Sequence, residues 1–295
     1  MADRPTTAIL HPGQMGAAFA RQARRNDVDV VWLPTGRSAA TRERAEAAGL
    51  RPVPDIGTLV ETSLVIISIC PSNAAEDVAR SVAGQGFTGT FVEANAIGPE
   101  RVGEIAKLFE PNGATVVDAG ILGAASTRMR FYLSGPAPGV SAVARLFDGT
   151  DVAAIPLDGG VGTASALKLA FALWQKGARA LAAVSYALAD RYEVAERLCA
   201  EAETEADAEA ERTGRSPFSS PEGYVLPAAT RGWRWELEMD EIAGSLDATD
   251  LPDGLPRAVA DVFARWAPLK DRPAEDLAEA LALLRVGNRD APRPA

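Results

Sequence analysis

The sequence predicts an α/β protein in which a doubly wound parallel sheet is followed by a long helix and an all-α region. Three observations carry that expectation. Short apolar, β-branched segments alternate with helix-spaced segments through the first half of the chain, the pattern of βαβ units. The character changes near Gly159-Gly160-Val161-Gly162, beyond which helical spacing dominates. A glycine-bearing turn, His11-Pro12-Gly13-Gln14-Met15-Gly16, joins the first apolar strand to Ala17-Ala18-Phe19-Ala20, the first turns of a helix.

The strands are expected at Thr7–Leu10, Val28–Leu33, Leu64–Ile69, Thr90–Glu93 and Thr115–Asp118. Leu64-Val65-Ile66-Ile67 is apolar on both faces, as a central strand of a covered sheet must be. Helices are expected at Ala39–Ala48, Ala74–Val82 and Pro99–Leu108. From about Thr163 to about Glu203 one helical pattern runs without proline, with a stripe of Leu167, Phe171, Trp174, Leu181, Val184, Leu188, Tyr192 and Leu198. Glu201–Arg212 reads as a solvated helix and Gly214–Gly223 as a loop. Helices resume at Arg234–Leu246, Pro256–Trp266 and Pro273–Leu284, and the tail is expected to be disordered. The expected domains are residues 1–158, residues 159–288 and a disordered tail over 289–295.

The 295-residue chain is 47% hydrophobic and 24% charged, ordinary for a globular protein. Its formal charge of −10 argues against nucleic acid, which demands a concentrated basic surface. Cys70 and Cys199 are too few for a disulfide framework. The start, Met1-Ala2-Asp3-Arg4-Pro5, lacks a signal-peptide core, and Lys168, Lys176 and Arg179 interrupt the greasy stretch near 164–190. A cytoplasmic protein without a membrane span is expected. His11 is the only histidine, which excludes multi-His metal sites, and no metal is expected.

The first turn has the layout of a dinucleotide-binding fingerprint, with His11 in place of the first glycine. Pro12, Gly13, Gln14 and Met15 would meet the pyrophosphate at a helix N-terminus. At the end of the second strand, where an acid would grip the ribose of NAD, stands Pro34-Thr35-Gly36-Arg37-Ser38. Arg37 between the hydroxyls of Thr35 and Ser38 suits the 2′-phosphate of NADP(H), with Arg42 and Arg44 on the next helix in support. The plainer reading of Arg37 is a surface arginine in a turn. A third turn, Ser68-Ile69-Cys70-Pro71-Ser72-Asn73, ends the central strand and places Cys70 and Pro71 at the cofactor. Cys70 reads as a packing residue rather than a nucleophile, because no further histidine is present to activate it.

These residues, in this order, resemble the β-hydroxyacid dehydrogenase and 6-phosphogluconate dehydrogenase superfamily, whose cofactor turn is followed by Met-Gly. Glu93-Ala94-Asn95-Ala96-Ile97-Gly98-Pro99 resembles its Asp-x-Ser-Thr-x-x-Pro segment beside the nicotinamide, which assigns Asn95 to the cofactor. Asp118-Ala119-Gly120-Ile121-Leu122-Gly123 resembles its substrate turn, which assigns Gly120, Leu122 and Gly123 to the substrate. Gly160-Val161-Gly162 leads into Lys168 as the family's glycine step leads into its catalytic lysine. Arg234–Ile242 and Leu251-Pro252-Asp253-Gly254 resemble a branch with its own helical C-terminal domain.

The resemblance implies a Rossmann domain, a homodimer, a small-molecule substrate and Lys168 as general acid–base. A lysine desolvated in a cleft has a lowered pKa and can move a proton while a hydride moves at carbon. Two departures point to a substrate larger or less polar than a small hydroxy acid. Ala172 replaces an asparagine, and Leu122 replaces a serine. Arg128 and Arg130 are candidates for an anionic group, and Trp174 and Trp235 for an aromatic pocket. The expected activity is an NADP-dependent oxidoreductase acting on a hydroxyl/carbonyl pair. The alternatives are an imine reductase, a relative that tends to carry Asp or Tyr at the Lys168 position, and a catalytically silent NADP-binding sensor or scaffold.

Overall fold

The computed structural model describes residues 6–123, 125, 128–213, 221–247, 250–270 and 272–285. The tail over 289–295 and residues 214–220 of the expected loop lie outside them. The chain divides into two compact units, Met1–Gln175 and Lys176–Ala295. The division therefore falls inside the long helix, beyond the glycine step.

In the first unit, β1 (Thr6–Leu10), β2 (Asp29–Trp32), β3 (Arg51–Pro52), β4 (Val65–Ser68), β5 (Thr90–Glu93), β6 (Thr115–Leu122), β7 (Met129–Ser134) and β8 (Val152–Pro156) form one sheet. Its order is β3-β2-β1-β4-β5-β6-β7-β8. The first six strands are parallel, β7 pairs antiparallel with β6, and β8 runs parallel to β7. The order reverses between β1 and β4, the switch point where open α/β sheets bind ligands beyond the strands' carboxyl ends.

Helices α1 (Gln14–Arg24), α2 (Ala39–Ala47), α3 (Ile56–Thr62), α4 (Ala75–Ala83), α5 (Pro99–Phe109) and α6 (Ala137–Arg145) cover the sheet. The period-two alternation of the strands feeds two cores. Ile9, Val30, Ile67, Val92 and Val117 face one, with Phe19 against Phe131 and Phe147 at ring separations of 4.8 and 5.3 Å. Ala8, Val31, Ile66, Phe91 and Val116 face the other, where Phe91 stacks on Phe109 at 4.5 Å. Aromatic pairs at such spacings add about 0.5–1.5 kcal/mol each beyond their buried area.

The long helical pattern breaks where sequence spacing did not predict it. Helix α7 is Thr163–Arg191 and α8 is Ala195–Thr213, with Glu193 at φ +59° between them. Helix α9, Pro221–Asp247, starts well before the expected Arg234 and carries Pro227 inside it. Helices α10 (Gly254–Ala264) and α11 (Leu277–Leu283) pack with α9 around Ala229, Trp266, Leu269 and Ala280. The Trp266 indole N–H donates to the Ala280 carbonyl at 2.9 Å, satisfying the one polar atom the ring buries. No helix among the described residues is long and apolar enough to cross a membrane.

Candidate dinucleotide cleft and Lys168 site

The switch point is built from the turn after β1. His11 adopts φ +63°, a left-handed conformation that costs a non-glycine residue free energy. The bend returns the chain so that the Gly13 N–H donates to the His11 carbonyl at 2.7 Å and α1 begins at once. A side chain at Gly16 would put Cβ 2.9 Å from the His11 carbonyl oxygen, so only glycine lets α1 sit this close to β1. Gly13 is different. A Cβ there would meet no protein atom within 4 Å, so its space is open to a ligand approaching the backbone. No side chain caps α1, and its first turn holds no acid. The uncapped N–H groups and the positive dipole end fit a pyrophosphate.

Beside this turn, Leu10, His11, Leu33, Arg37, Ile56 and Val78 line a small recess of about 80 Å³. Arg37 is half-buried, and its Nε is buried without a partner. Burial lowers the Arg37 pKa, yet a guanidinium stays charged at neutral pH. His11 Nδ1 is also buried and unpartnered, and burial followed by the nearby Arg37 charge lowers the imidazole pKa to about 4. His11 is therefore neutral near pH 7, and it lines the same recess as Arg37. Thr35 is exposed, and Ser38 caps α2 by accepting from the Thr41 N–H at 3.3 Å.

Across the switch point, the carboxyl ends of β4 and β5 bring Ser68 and Glu93 into register with Asp118 in the middle of β6. Asn95, 4% exposed, ties the loops together. Its Oδ1 accepts from the Cys70 N–H at 2.5 Å, and its Nδ2 donates to Ser68 Oγ at 3.1 Å. Burial raises the Cys70 pKa and keeps it a thiol, in keeping with a packing role. Pro71 is exposed at the same turn.

The Asp118–Gly123 segment is not a turn. Strand β6 continues through Gly120 and Ile121 to Leu122, because β7 pairs with it antiparallel, and only Gly123 leaves the strand at φ +109°. Asp118 is fully buried and anchors the start of α7. Its carboxylate accepts from the Gly162 and Ser165 N–H groups at 3.0 and 2.9 Å, from Ser165 Oγ at 2.6 Å and from Ser134 Oγ at 3.2 Å. A Cβ at Gly120 would lie 2.8 Å from the Ala164 carbonyl oxygen, so glycine permits α7 to lie against β6. That approach lets the half-buried Lys168 ammonium donate to the Ile121 carbonyl. The lysine is thereby held at the carboxyl edge of the sheet. Ala172 is half-buried one turn on, Leu122 is buried, and Arg128 and Arg130 are exposed.

The structure thus gathers two groups of expected residues. His11, Gly13 and Arg37 border the switch point on the β2 side, and Cys70 and Asn95 lie on the β4–β5 side. Gly120 and Lys168 meet where α7 starts. Trp174 is 42% exposed in the first unit, whereas Trp235 packs on Phe263 at 5.4 Å within the second. Sequence reasoning missed Ser134 and Ser165 altogether, since isolated serines carry no periodic signal. It also passed over Glu93, whose signal is an acid at the end of an otherwise apolar strand. No cluster of three or more metal-ligating side chains occurs among the described residues.

Residues 8–153 match the family described as the NAD binding domain of 6-phosphogluconate dehydrogenase, and residues 189–266 match a domain of unknown function, DUF1932. The chain matches no curated relative. Solved structures share the fold. A reductive aminase from Aspergillus terreus, in complex with NADPH and ethyl-5-oxohexanoate, is 17% identical with a TM-score of 0.72, covering 96% of this chain and all 100% of its own. An imine reductase from Myxococcus stipitatus, in complex with NADP+, is 16% identical with a TM-score of 0.72 over 95% and 100% of the two chains. A conserved protein of unknown function, described as structurally similar to 3-hydroxyacid dehydrogenases, is 22% identical with a TM-score of 0.58 over 90% and 98%.

Proposed function

The chain belongs, through residues 8–153, to the 6-phosphogluconate dehydrogenase family of NAD-binding domains, and from that premise we propose that it is an NADP(H)-dependent oxidoreductase with Lys168 as its acid–base residue. The observation that carries the proposal is the cleft itself: an uncapped α1 N-terminus beside open space at Gly13, with the unpartnered Nε of Arg37 on one side and Lys168 at the sheet's carboxyl edge. Arg37 binds the 2′-phosphate by charge-assisted hydrogen bonds, and no acid stands at the end of β2 to prefer a free ribose hydroxyl. Pro12, Gly13, Gln14 and Met15 present the backbone to the pyrophosphate. Asn95 holds the Cys70 loop in place for the far half of the dinucleotide.

Bound there, the dinucleotide supplies or accepts the hydride. Lys168 moves the proton: Nζ gives one to the substrate oxygen as a carbonyl is reduced, or takes one as a hydroxyl is oxidised. The Ile121 carbonyl fixes Nζ, and the Asp118 anchor fixes the helix that carries it. Gly120, Leu122 and Gly123 border this point, and the apolar Leu122 favours a larger or less polar substrate than a small hydroxy acid. A C=N substrate is the second reading. The whole-chain likeness to a reductive aminase and an imine reductase favours it. A cationic lysine where such relatives tend to place Asp or Tyr weighs against it.

Arg37→Ala tests the cofactor assignment. Loss of a charged hydrogen bond worth about 1.5–3 kcal/mol weakens NADPH binding by roughly ten- to a hundredfold and leaves NADH nearly unchanged, as read by fluorescence titration. Equal weakening of both cofactors would remove Arg37 from the 2′-phosphate.

The second unit supports a homodimer. Leu181, Leu188, Met239, Ile242, Leu246 and Phe263 border an apolar groove of about 780 Å³, and Leu181 and Tyr186 on α7 are about half exposed. A second copy seated on this groove would cover those exposed apolar side chains. Light scattering at micromolar concentration then gives twice the chain mass; a monomer contradicts the assignment.

A further inference from the structure

Glu93 ends β5 with its side chain fully buried, and the proton transfer at Lys168 makes no use of it. Its Oε1 accepts from the Asn95 N–H at 2.9 Å, while Oε2 is buried without a partner. Burial pushes the carboxyl up to about 7; the Asn95 hydrogen bonds oppose the rise, and Asp118 and Glu76 add to it. The groups that face it are Asp118 on β6, Glu76 on α4, Cys70 after β4 and Arg101 on α5. Arg101 is engaged elsewhere, gripping Glu76 through two nitrogens at 2.5 and 2.7 Å and the Ser72 carbonyl at 2.8 Å. Glu93 therefore sits without a dedicated counter-ion in the cluster formed by Ser68, Cys70 and Asn95.

We propose that Glu93 tunes the charge of the cleft, its carboxylate favouring the cationic ring of NADP+ and its acid form the neutral ring of NADPH. The inference rests on the cofactor reading above. With the 2′-phosphate at Arg37 and the pyrophosphate at α1, the other nucleotide half crosses the switch point onto the carboxyl ends of β4 and β5. Glu93 is the buried carboxyl there with an oxygen left over. Opposite unit charges a few ångströms apart in a partly desolvated site change a binding constant by roughly tenfold or more. By linkage, oxidised cofactor must lower the Glu93 pKa, and reduced cofactor must not. Low pH thus favours holding the reduced form, and high pH the oxidised form.

The test is the ratio of the NADP+ and NADPH dissociation constants, measured by calorimetry from about pH 5.5 to about pH 8.5 on the wild type and on Glu93→Gln. The 2′-phosphate titrates in both cofactors and cancels in the ratio. The inference expects the ratio to fall with rising pH roughly tenfold more in the wild type than in the variant, where Lys168 remains to titrate beside the ring. The same pH dependence in both proteins overturns the role of Glu93 while leaving the cofactor reading intact. A folded protein that binds neither dinucleotide overturns both. Because Glu93→Gln can disturb folding, carboxyl NMR of the wild type supplies the second readout. A Glu93 midpoint lower with NADP+ than with NADPH supports the inference, and equal midpoints overturn it.

Discussion

Replacing Lys168 by alanine is expected to cut turnover by about 10²–10⁴-fold while leaving NADPH affinity within about twofold of wild type. The proton donor is lost, whereas the binding turn after β1 and Arg37 lie on other elements. Because Lys168 also donates to the Ile121 carbonyl, a purely structural role must be separated from a chemical one. Lys168→Arg does so. A guanidinium keeps a donor for Ile121 but does not deprotonate at accessible pH, so this variant should be as slow as the alanine variant while melting near the wild type. Lys176, about two helical turns further along α7, is the control and should tolerate alanine. The assay is NADPH consumption with a panel of ketones and cyclic imines, which also separates the two substrate readings. Equal rates for the Lys168 and Lys176 variants would contradict the assignment. Binding without turnover on either class would favour a silent sensor.

The largest expected loss of stability follows Asp118→Ala. The fully buried carboxylate accepts four hydrogen bonds, and its removal strands the Gly162 and Ser165 N–H groups together with two hydroxyls. Each buried donor left unpaired costs about 1–3 kcal/mol, partly recovered by relaxation and water, so a net loss of about 3–5 kcal/mol is expected. Asp118→Asn keeps an acceptor oxygen and should cost less, about 1–3 kcal/mol. Urea unfolding midpoints give the order wild type, Asn, Ala. An alanine variant within about 1 kcal/mol of wild type would contradict the view that this cap fixes the start of α7 and, through it, Lys168.

Much of the first unit is legible from residue type because its central strands are short, β-branched and apolar on both faces. Val65–Ser68 and Thr90–Glu93 stand out for that reason. Strand β3 does not, since Arg51 and Pro52 are an exposed edge with no apolar signal. Gly120 and Leu122 read as a turn by resemblance, yet antiparallel pairing with Met129–Ser134 makes them strand, and only that partner decides the matter. The break between α7 and α8 is equally hidden. It occurs at Glu193 without a glycine or proline, and Val194 caps the turn by donating to the Ala189 carbonyl at 2.9 Å.

The candidate site divides in the same way. Arg37, Cys70, Asn95 and Lys168 are marked by their place after a strand or a glycine step. The Asp118–Ser134–Ser165 network joins residues 16 and 47 positions apart, and only the folded sheet brings them together. Glu93 was visible as an acid ending an apolar strand, but its burial and its orphaned oxygen were not.

The central claim is that the first unit reads the 2′-phosphate of a dinucleotide at the β1–β4 switch point. Side-by-side calorimetric titration of the wild-type protein with NADPH and with NADH tests it most directly. With Arg37 at the phosphate and no acid ending β2, NADPH binds at least about tenfold more tightly than NADH, and added salt narrows the gap. Equal affinities, or tighter binding of NADH, would contradict the account.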